Sequence, residues 1–351
     1  MPLWRHPLRW PLFLLALTAA SGWLISSERP LATIFVGRLA LGLLAFHAVL
    51  WFVTGTSRLR LTLWVLTLIL AGVAVAALVG TRWPTAKLLP LDAIYRRLPT
   101  YLVDTLHPNV AAAALVLLLP IPCVLFWDGL RRPRPTWAPW LCLAVIALTV
   151  VVLLLTQSRA AWLALTGMAL VIAGRQVRRP WLRWLLIVLS GAAVGLLLWL
   201  VRNPLATDWL DRQMVWAQGL AMLQDFGLTG IGPGSFGTLG PQLYPDFWMG
   251  DLAFVAPHAH NLFLQVGVDL GVTGLVAFLA LLLAAAASAW SAWRHGSAPL
   301  VRSAAGALLL SLLALALDGM LDVGVWGTQG GFVAWLILGL AASLTSHFVV
   351  K

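Results

Sequence analysis

Apolar runs of about twenty residues recur along the whole sequence, separated by short loops rich in arginine. Wound as an α-helix, such a run crosses the roughly 30 Å hydrocarbon core of a bilayer. Lipid offers no partner for backbone N–H and C=O groups, so each spanning run must satisfy its own, as a helix does. The short alternating segments of a membrane β-barrel are absent. Of 351 residues, 61% are hydrophobic and 10% charged, with a mean hydropathy of +0.92. A bilayer can solvate that much apolar surface and a soluble domain cannot hide it. The sequence therefore predicts an all-α polytopic membrane protein, a single integral membrane domain over residues 1–351.

The runs fall at about 11–26, 32–54, 61–80, 109–127, 138–156, 160–174, 184–201, 260–293, 303–321 and 330–349, about ten transmembrane helices. Small residues at Ala19-Ala20-Ser21 resemble a cleavage site. More helices follow at once, so the first run reads as an uncleaved span. The formal charge of +11 does not point to nucleic acid, because the basic residues sit in short loops. Arg58, Arg60, Arg131, Arg132, Arg134, Arg175, Arg178, Arg179, Arg183, Arg294 and Arg302 orient the helices from the cytoplasm. Both termini are then cytoplasmic. Residues 202–259 become a large periplasmic loop, where Asp208, Asp211, Asp225, Asp246 and Asp251 outnumber Arg202 and Arg212. The eighth segment is too long for one straight span, and its first turns are expected to lie along or dip into the interface. Several Trp near helix ends (Trp10, Trp83, Trp127, Trp137 and Trp181) suit an interfacial belt. Cys123 and Cys142 both lie in apolar runs, with no disulfide framework or metal-ligand spacing.

In this orientation Arg159, Arg212, His107 and His260 share the outer face. Arg159 stands in the tight link Gln157-Ser158-Arg159, where the positive-inside rule disfavours a lone arginine. An interfacial anchor would explain it, and so would phosphate recognition, which suits the planar guanidinium. Arg212 lies in a stretch of helical spacing from about Thr207 to Asp225, where pairing with Asp211 is the plain alternative. Beyond it, Gly227 to Phe236 is a Gly-rich turn whose backbone N–H groups could face an anion, although an ordinary loop explains it as well. His260 can take a proton near neutral pH; the plain alternative is that it begins a helix. Asn261 follows it, and Asp322 is a further outer-face acid that could orient a base. Gly267, Gly271 and Gly274 have the small-residue spacing of helix packing. Arg38 and His47 are ionisable groups inside the second run, and such groups are functional candidates.

Several chemistries find no support. His258 and His260 give two metal ligands but no convincing third, and no HExxH occurs. There is no Asp-x-Asp pair to hold a divalent ion on a diphosphate, and no Walker loop. Ser235 in Gly-Pro-Gly-Ser-Phe belongs to a polar loop, not to a span as an intramembrane protease would require.

Three separated pieces resemble the O-antigen ligase and polymerase superfamily of bacterial envelope glycosyltransferases. They are Gln157-Ser158-Arg159-Ala160-Ala161-Trp162, then Arg212 to Trp216 leading into Gly230 to Phe236, then His260-Asn261 followed nine residues later by Gly271-Val272-Thr273-Gly274. Leu106-His107-Pro108-Asn109 is similar to the family's pattern as well. The resemblance covers about residues 105–345. It implies a glycosyltransferase C-like membrane fold and a periplasmic active site in the bacterial inner membrane. It implies a glycan donor linked by diphosphate to undecaprenol, and an acceptor that is lipid A core, a lipid-linked repeat or a protein. Arg159 and Arg212 would hold the diphosphate. His260 would deprotonate or position the acceptor hydroxyl for inverting attack, with Asn261, Asp322 and His107 in support. No metal and no cofactor are implied. The family commonly has about twelve spans against about ten here, and the shortage lies in the N-terminal half. The rivals are a polymerase of the same family and a non-enzymatic lipid or glycan transporter. A transporter should show inverted repeats and polar groups at mid-membrane, whereas the polar candidates here gather at one face.

Overall fold

The computed structural model describes residues 6–81, 106–131, 137–177, 202–247 and 256–348, with shorter pieces inside 83–101 and 179–191; side chains in the 202–225 stretch are described from Arg212 onward. The chain is a bundle of α-helices: α1 Arg9–Ile25, α2 Arg29–Phe52, α3 Thr56–Gly80, α4 Pro108–Leu118, α5 Pro120–Leu130, α6 Ala138–Thr156, α7 Arg159–Gln176, α8 Arg202–Asp225, α9 Phe236–Leu243, α10 Leu262–His295, α11 Pro299–Gly319 and α12 Phe332–Phe348. No strand occurs among the described residues. Six stretches are helical, long and apolar enough to cross a membrane, counting α4 and α5 together as Pro108–Leu130, and α1 and α12 are shorter apolar helices. The protein is therefore an all-α, multi-pass membrane protein. The expected sixth run is α7, which is not among the six. The expected seventh, about 184–201, lies for the most part outside the described residues.

The core lies around α11, which packs against α4, α5, α7, α10 and α12. Its small and aliphatic residues, among them Ala304, Ala305, Leu308 and Ala314, are fully or nearly fully buried. Small residues allow helices to approach closely where lipid gives no hydrophobic reward for association. Gly339 of α12 illustrates this: a Cβ there would stand 2.6 Å from the Phe46 carbonyl oxygen of α2. The fourth run is one continuous span: Pro120 has no N–H for the helical ladder, yet Leu119 keeps helical dihedrals (φ −52°, ψ −36°) and its N–H donates to the Leu115 carbonyl at 3.0 Å, so α5 continues α4.

The arginine-bearing ends of the helices gather on one side. Arg60 pairs with Asp128 at 3.2 Å, and the Arg175 guanidinium lies 4.2 Å from the centre of the Trp293 ring. The opposite side is the histidine end. Leu106 N–H donates to the Gly80 carbonyl at 3.0 Å, which joins the end of α3 to the start of α4. Leu89 N–H donates to Gln157 Oε1 at 2.7 Å, and Tyr95 Oη donates to the Leu155 carbonyl at 2.7 Å. Leu89 and Tyr95, between α3 and α4, thus lie against the α6–α7 turn.

The described residues of the stretch expected as a long loop before the eighth segment are folded. α8 packs along α10, and Val215, Met222, Ile231, Phe236, Ala256, Ala259 and Val268 form a second small core. The Gly-rich turn closes onto α10 by backbone bonds. Ile231 N–H donates to Val268 O at 2.8 Å, and Val272 N–H donates to Gly227 O at 2.7 Å.

The second of these bonds depends on a break in α10. Gly271 has φ +72°, a left-handed conformation that a side chain disfavours. A Cβ at Gly271 would also meet the Leu228 carbonyl oxygen at 2.6 Å. The reading of Gly271 as a helix-packing residue is corrected: it is a break that receives the Gly-rich turn. The break divides the long eighth segment into a nine-residue start, 262–270, and a continuing helix, as a segment too long for one straight span requires.

Candidate active site

His260 does not cap α10. It precedes the cap, in a left-handed conformation (φ +47°) that is uncommon for a residue with a side chain. The cap is Asn261, whose Oδ1 accepts from Leu264 N–H at 3.0 Å. Its Nδ2 donates to the Met320 carbonyl at 3.1 Å, which ties the start of α10 to the α11–α12 connection. The His260 N–H donates to His258 Nδ1 at 3.3 Å, and the two imidazole rings meet edge to face with centroids 4.3 Å apart. Ala259 N–H donates to Gln265 Oε1 at 2.7 Å. The backbone is therefore held on both sides of His260.

Asp322 closes the site from the α11–α12 connection. It is 4% exposed, and its Oδ1 lies 3.7 Å from His260 Nδ1. Asn109 Nδ2 donates to Asp322 Oδ2 at 2.5 Å, and Val323 N–H donates to Oδ1 at 2.8 Å. Burial alone would raise the Asp322 pKa. The contact with His260 and the electrostatic influence of the two imidazoles, His258 and His260, outweigh it, with help from the Val323 N–H, and hold the carboxyl well below the usual carboxylate range. His258 is displaced to about 4, chiefly by burial and then by the charge on His260. Asp322 opposes that displacement, while His107 and Arg212 add to it. His258 is therefore neutral at physiological pH.

Arg212, on α8, donates from Nη1 to the Leu321 carbonyl at 2.6 Å, next to Asp322. His107 is the N-cap of α4 and accepts from Asn109 N–H at 3.3 Å. The fold thus brings Arg212, His107, His260, Asn261 and Asp322 together, although they come from four separate parts of the chain. Arg159 reaches the same end of the bundle. It opens α7 after Gln157, which turns left-handed (φ +46°), and Ser158, whose hydroxyl caps the helix.

The structure supplies a third metal-ligand candidate that sequence spacing does not show. One ligand atom from each of His258, His260 and Asp322 lie within 4.8 Å of one another. The search for a third ligand near His258-x-His260 fails in sequence because Asp322 is sixty-two residues away from His260 and joined to it only by folding. Asp318 and Asp269 are also unanticipated. Asp318 sits one turn before Asp322, and its Oδ1 is buried without a hydrogen-bond partner among the described residues. Asp269 lies within α10 and is 1% exposed. It accepts from Gln265 Nε2 at 2.9 Å, Trp326 Nε1 at 3.0 Å and Gly234 N–H at 3.3 Å. A carboxyl inside an apolar run was the available signal, the same one that singles out Arg38 and His47. Those two bind backbone instead. Arg38 Nη1 donates to the Gly327 carbonyl at 2.5 Å, and His47 Nδ1 meets the Leu43 carbonyl at 2.7 Å.

Four amides of the Gly-rich turn are already engaged. The N–H groups of Gly230, Ile231, Gly234 and Ser235 all bond within the protein. Gly230, Gly232 and Gly234 have φ of +70°, +96° and +76°, the conformations that let the turn press against α10.

Residues 142–279 match a family model described as O-antigen ligase. Over this stretch the chain is similar to the O-antigen ligase/polymerase superfamily. The match contains Arg159, Arg212, His258, His260 and Asn261, and it lies inside the 105–345 stretch of the sequence resemblance. Asp322, Asn109 and His107 stand outside it. No curated protein matches the chain.

Proposed function

We propose that this protein is a member of the O-antigen ligase/polymerase superfamily and an inverting glycosyltransferase of the bacterial inner membrane, with the histidine end facing the periplasm. Its donor is a glycan carried on undecaprenyl diphosphate, and its acceptor is a hydroxyl. The arginine-bearing ends of the helices support this orientation, since basic loops favour the cytoplasm. Residues 202–259 form the periplasmic part of a single membrane domain.

The observation that carries the reading is the buried Asp322 carboxyl, 3.7 Å from His260 Nδ1, with the Arg212 guanidinium bound to the adjacent Leu321 carbonyl. A carboxylate facing Nδ1 favours the tautomer with its proton there and leaves the lone pair on Nε2. Nε2 takes the acceptor's hydroxyl proton as the acceptor oxygen attacks the anomeric carbon. The bond from that carbon to the diphosphate oxygen breaks, the configuration inverts, and undecaprenyl diphosphate leaves. Its growing negative charge is stabilised by guanidinium groups. Arg212 is one of these, and Arg159, at the same end of the bundle, is the other. The step itself is assigned to side chains and uses no metal.

The test is mass spectrometry of envelope glycans from a deletion strain complemented with wild type, His260→Ala, Arg212→Ala or Arg159→Ala at matched protein levels. Loss of glycan from lipid A core marks a ligase. Shortened chains with one repeat still attached mark a polymerase. Transfer at the wild-type rate in His260→Ala and Arg212→Ala, or unchanged glycans in the deletion strain, overturns the reading.

A further inference from the structure

We propose that His258, His260 and Asp322 form a binding site for a borderline divalent transition metal of the Zn²⁺ class, and that an ion held there switches transfer off. The site itself follows from geometry; its inhibitory effect rests on the role of His260 proposed above.

The donor set is two imidazoles and one carboxylate, with ligand atoms within 4.8 Å of one another. Ligands about 2.0–2.2 Å from a tetrahedral zinc lie roughly 3.3–3.6 Å apart. The His260–Asp322 distance, 3.7 Å, is already close to that, so the remaining adjustment is about 1 Å of side-chain rotation. A second observation points the same way. His260 Nδ1 is buried and has no hydrogen-bond partner among the described residues, although it faces a carboxylate oxygen. A buried ring nitrogen in that state is rare, and an ion between it and Asp322 would satisfy both. The left-handed backbone at His260 brings the two rings together, and strain of that kind persists only where its surroundings enforce it. The hydrogen bond that sets the His258 tautomer is long, 3.3 Å, and gives an ion little to displace.

Two features narrow the ion. Nitrogen donors favour zinc, cobalt and nickel over magnesium and calcium, which take oxygen. Arg212 adds a positive charge at Leu321, which works against an ion held mainly by charge. The outer coordination is provided too, since Asp322 Oδ2 is fixed by Asn109.

Inhibition follows from the tautomer. A metal on Nδ1 takes that lone pair and leaves the imidazole proton on Nε2. The base then has no lone pair to offer the acceptor hydroxyl.

Titration of the purified full-length protein with Co²⁺ tests the site without reference to activity. The expected result is a visible d–d band of tetrahedral intensity that saturates at one ion per chain and is displaced by Zn²⁺. Loss of one ligand in His258→Gln should weaken Co²⁺ binding by about 100-fold or more, since even outer-sphere changes cost about 10- to 100-fold. His258→Gln keeps an acceptor for the His260 N–H, and Asp322→Asn is a second variant should the first fold poorly. Absence of the band, or a band that His258→Gln and Asp322→Asn leave unchanged, overturns the proposal. In glycan transfer, Zn²⁺ should inhibit the wild type and a chelator should reverse it. His258→Gln should resist inhibition when compared with its own metal-free rate. A Co²⁺ band in a protein that transfers no glycan would sustain the metal site while removing the proposed function. Transfer that is indifferent to Zn²⁺ at saturating occupancy would remove the switch.

Discussion

The two ends of the bundle carry charge in opposite ways. At the arginine end, Arg60 and Asp128 are 36% and 25% exposed and pair at 3.2 Å, and Arg175 rests over Trp293. Long cationic side chains there can reach water while their stems lie on apolar surface, so no single partner is required. At the histidine end the carboxyls of Asp269, Asp318 and Asp322 are almost wholly buried. A buried carboxyl must find donors or lose much of its stability, and two of these three are built into networks that join distant helices. One end carries its charge near the surface, where position along the sequence matters and geometry hardly does. The other uses charge to fix geometry, and there each substitution should be felt.

The contrast can be broken most directly at His260. His260→Ala should lower glycan transfer by about 100- to 10,000-fold, the range for loss of a general base, with the protein level unchanged. A loss below tenfold would place the histidine end in the same class as the arginine end. Asp269→Ala should come next. It leaves the Trp326 Nε1–H, Gln265 Nε2–H and Gly234 N–H without their acceptor, at a cost of about 3–5 kcal/mol. Thermal unfolding in detergent would register this as a clear drop in Tm, and an unchanged Tm would show that the network is dispensable. Gly271→Ala should cost about 2–3 kcal/mol by the same measurement, from the positive φ and the approach of the Leu228 carbonyl. Arg60→Ala supplies the other side of the comparison. An exposed ion pair contributes less than about 1 kcal/mol, so its Tm and transfer rate should stay near wild type. A large effect at Arg60 would erase the distinction between the ends.

Much of the bundle was legible because hydropathy acts on stretches of about twenty residues. The second and third runs, 32–54 and 61–80, coincide closely with Arg29–Phe52 and Thr56–Gly80. The tight link at Gln157-Ser158 was legible too, and the serine caps the helix that follows. What escaped depends on single atoms meeting across the fold. Gly271 keeps a helical spacing with Gly267 and Gly274, so periodicity favours packing. Only the carbonyls of the Gly-rich turn reveal why it breaks the helix. Asp322 could be named as an acid able to orient a base, yet nothing local assigns it Asn109 as a donor. Asp269 sits between Val268 and Leu270 in an apolar run, and its three donors come from α10 itself, the Gly-rich turn and the α11–α12 connection.

The site's wiring sets a limit on modular engineering. The Asn261 side chain anchors the start of α10 to the Met320 carbonyl, and the carboxyl behind His260 comes from residue 322, forty-three positions beyond the end of the family match at 279. A chimera that transplants only the matched segment into a foreign scaffold would import an imidazole stripped of the carboxylate that faces it and of the strut that aims it. Swaps between relatives should therefore exchange Asn109 and the 320–323 corner along with the histidine, as one inherited unit.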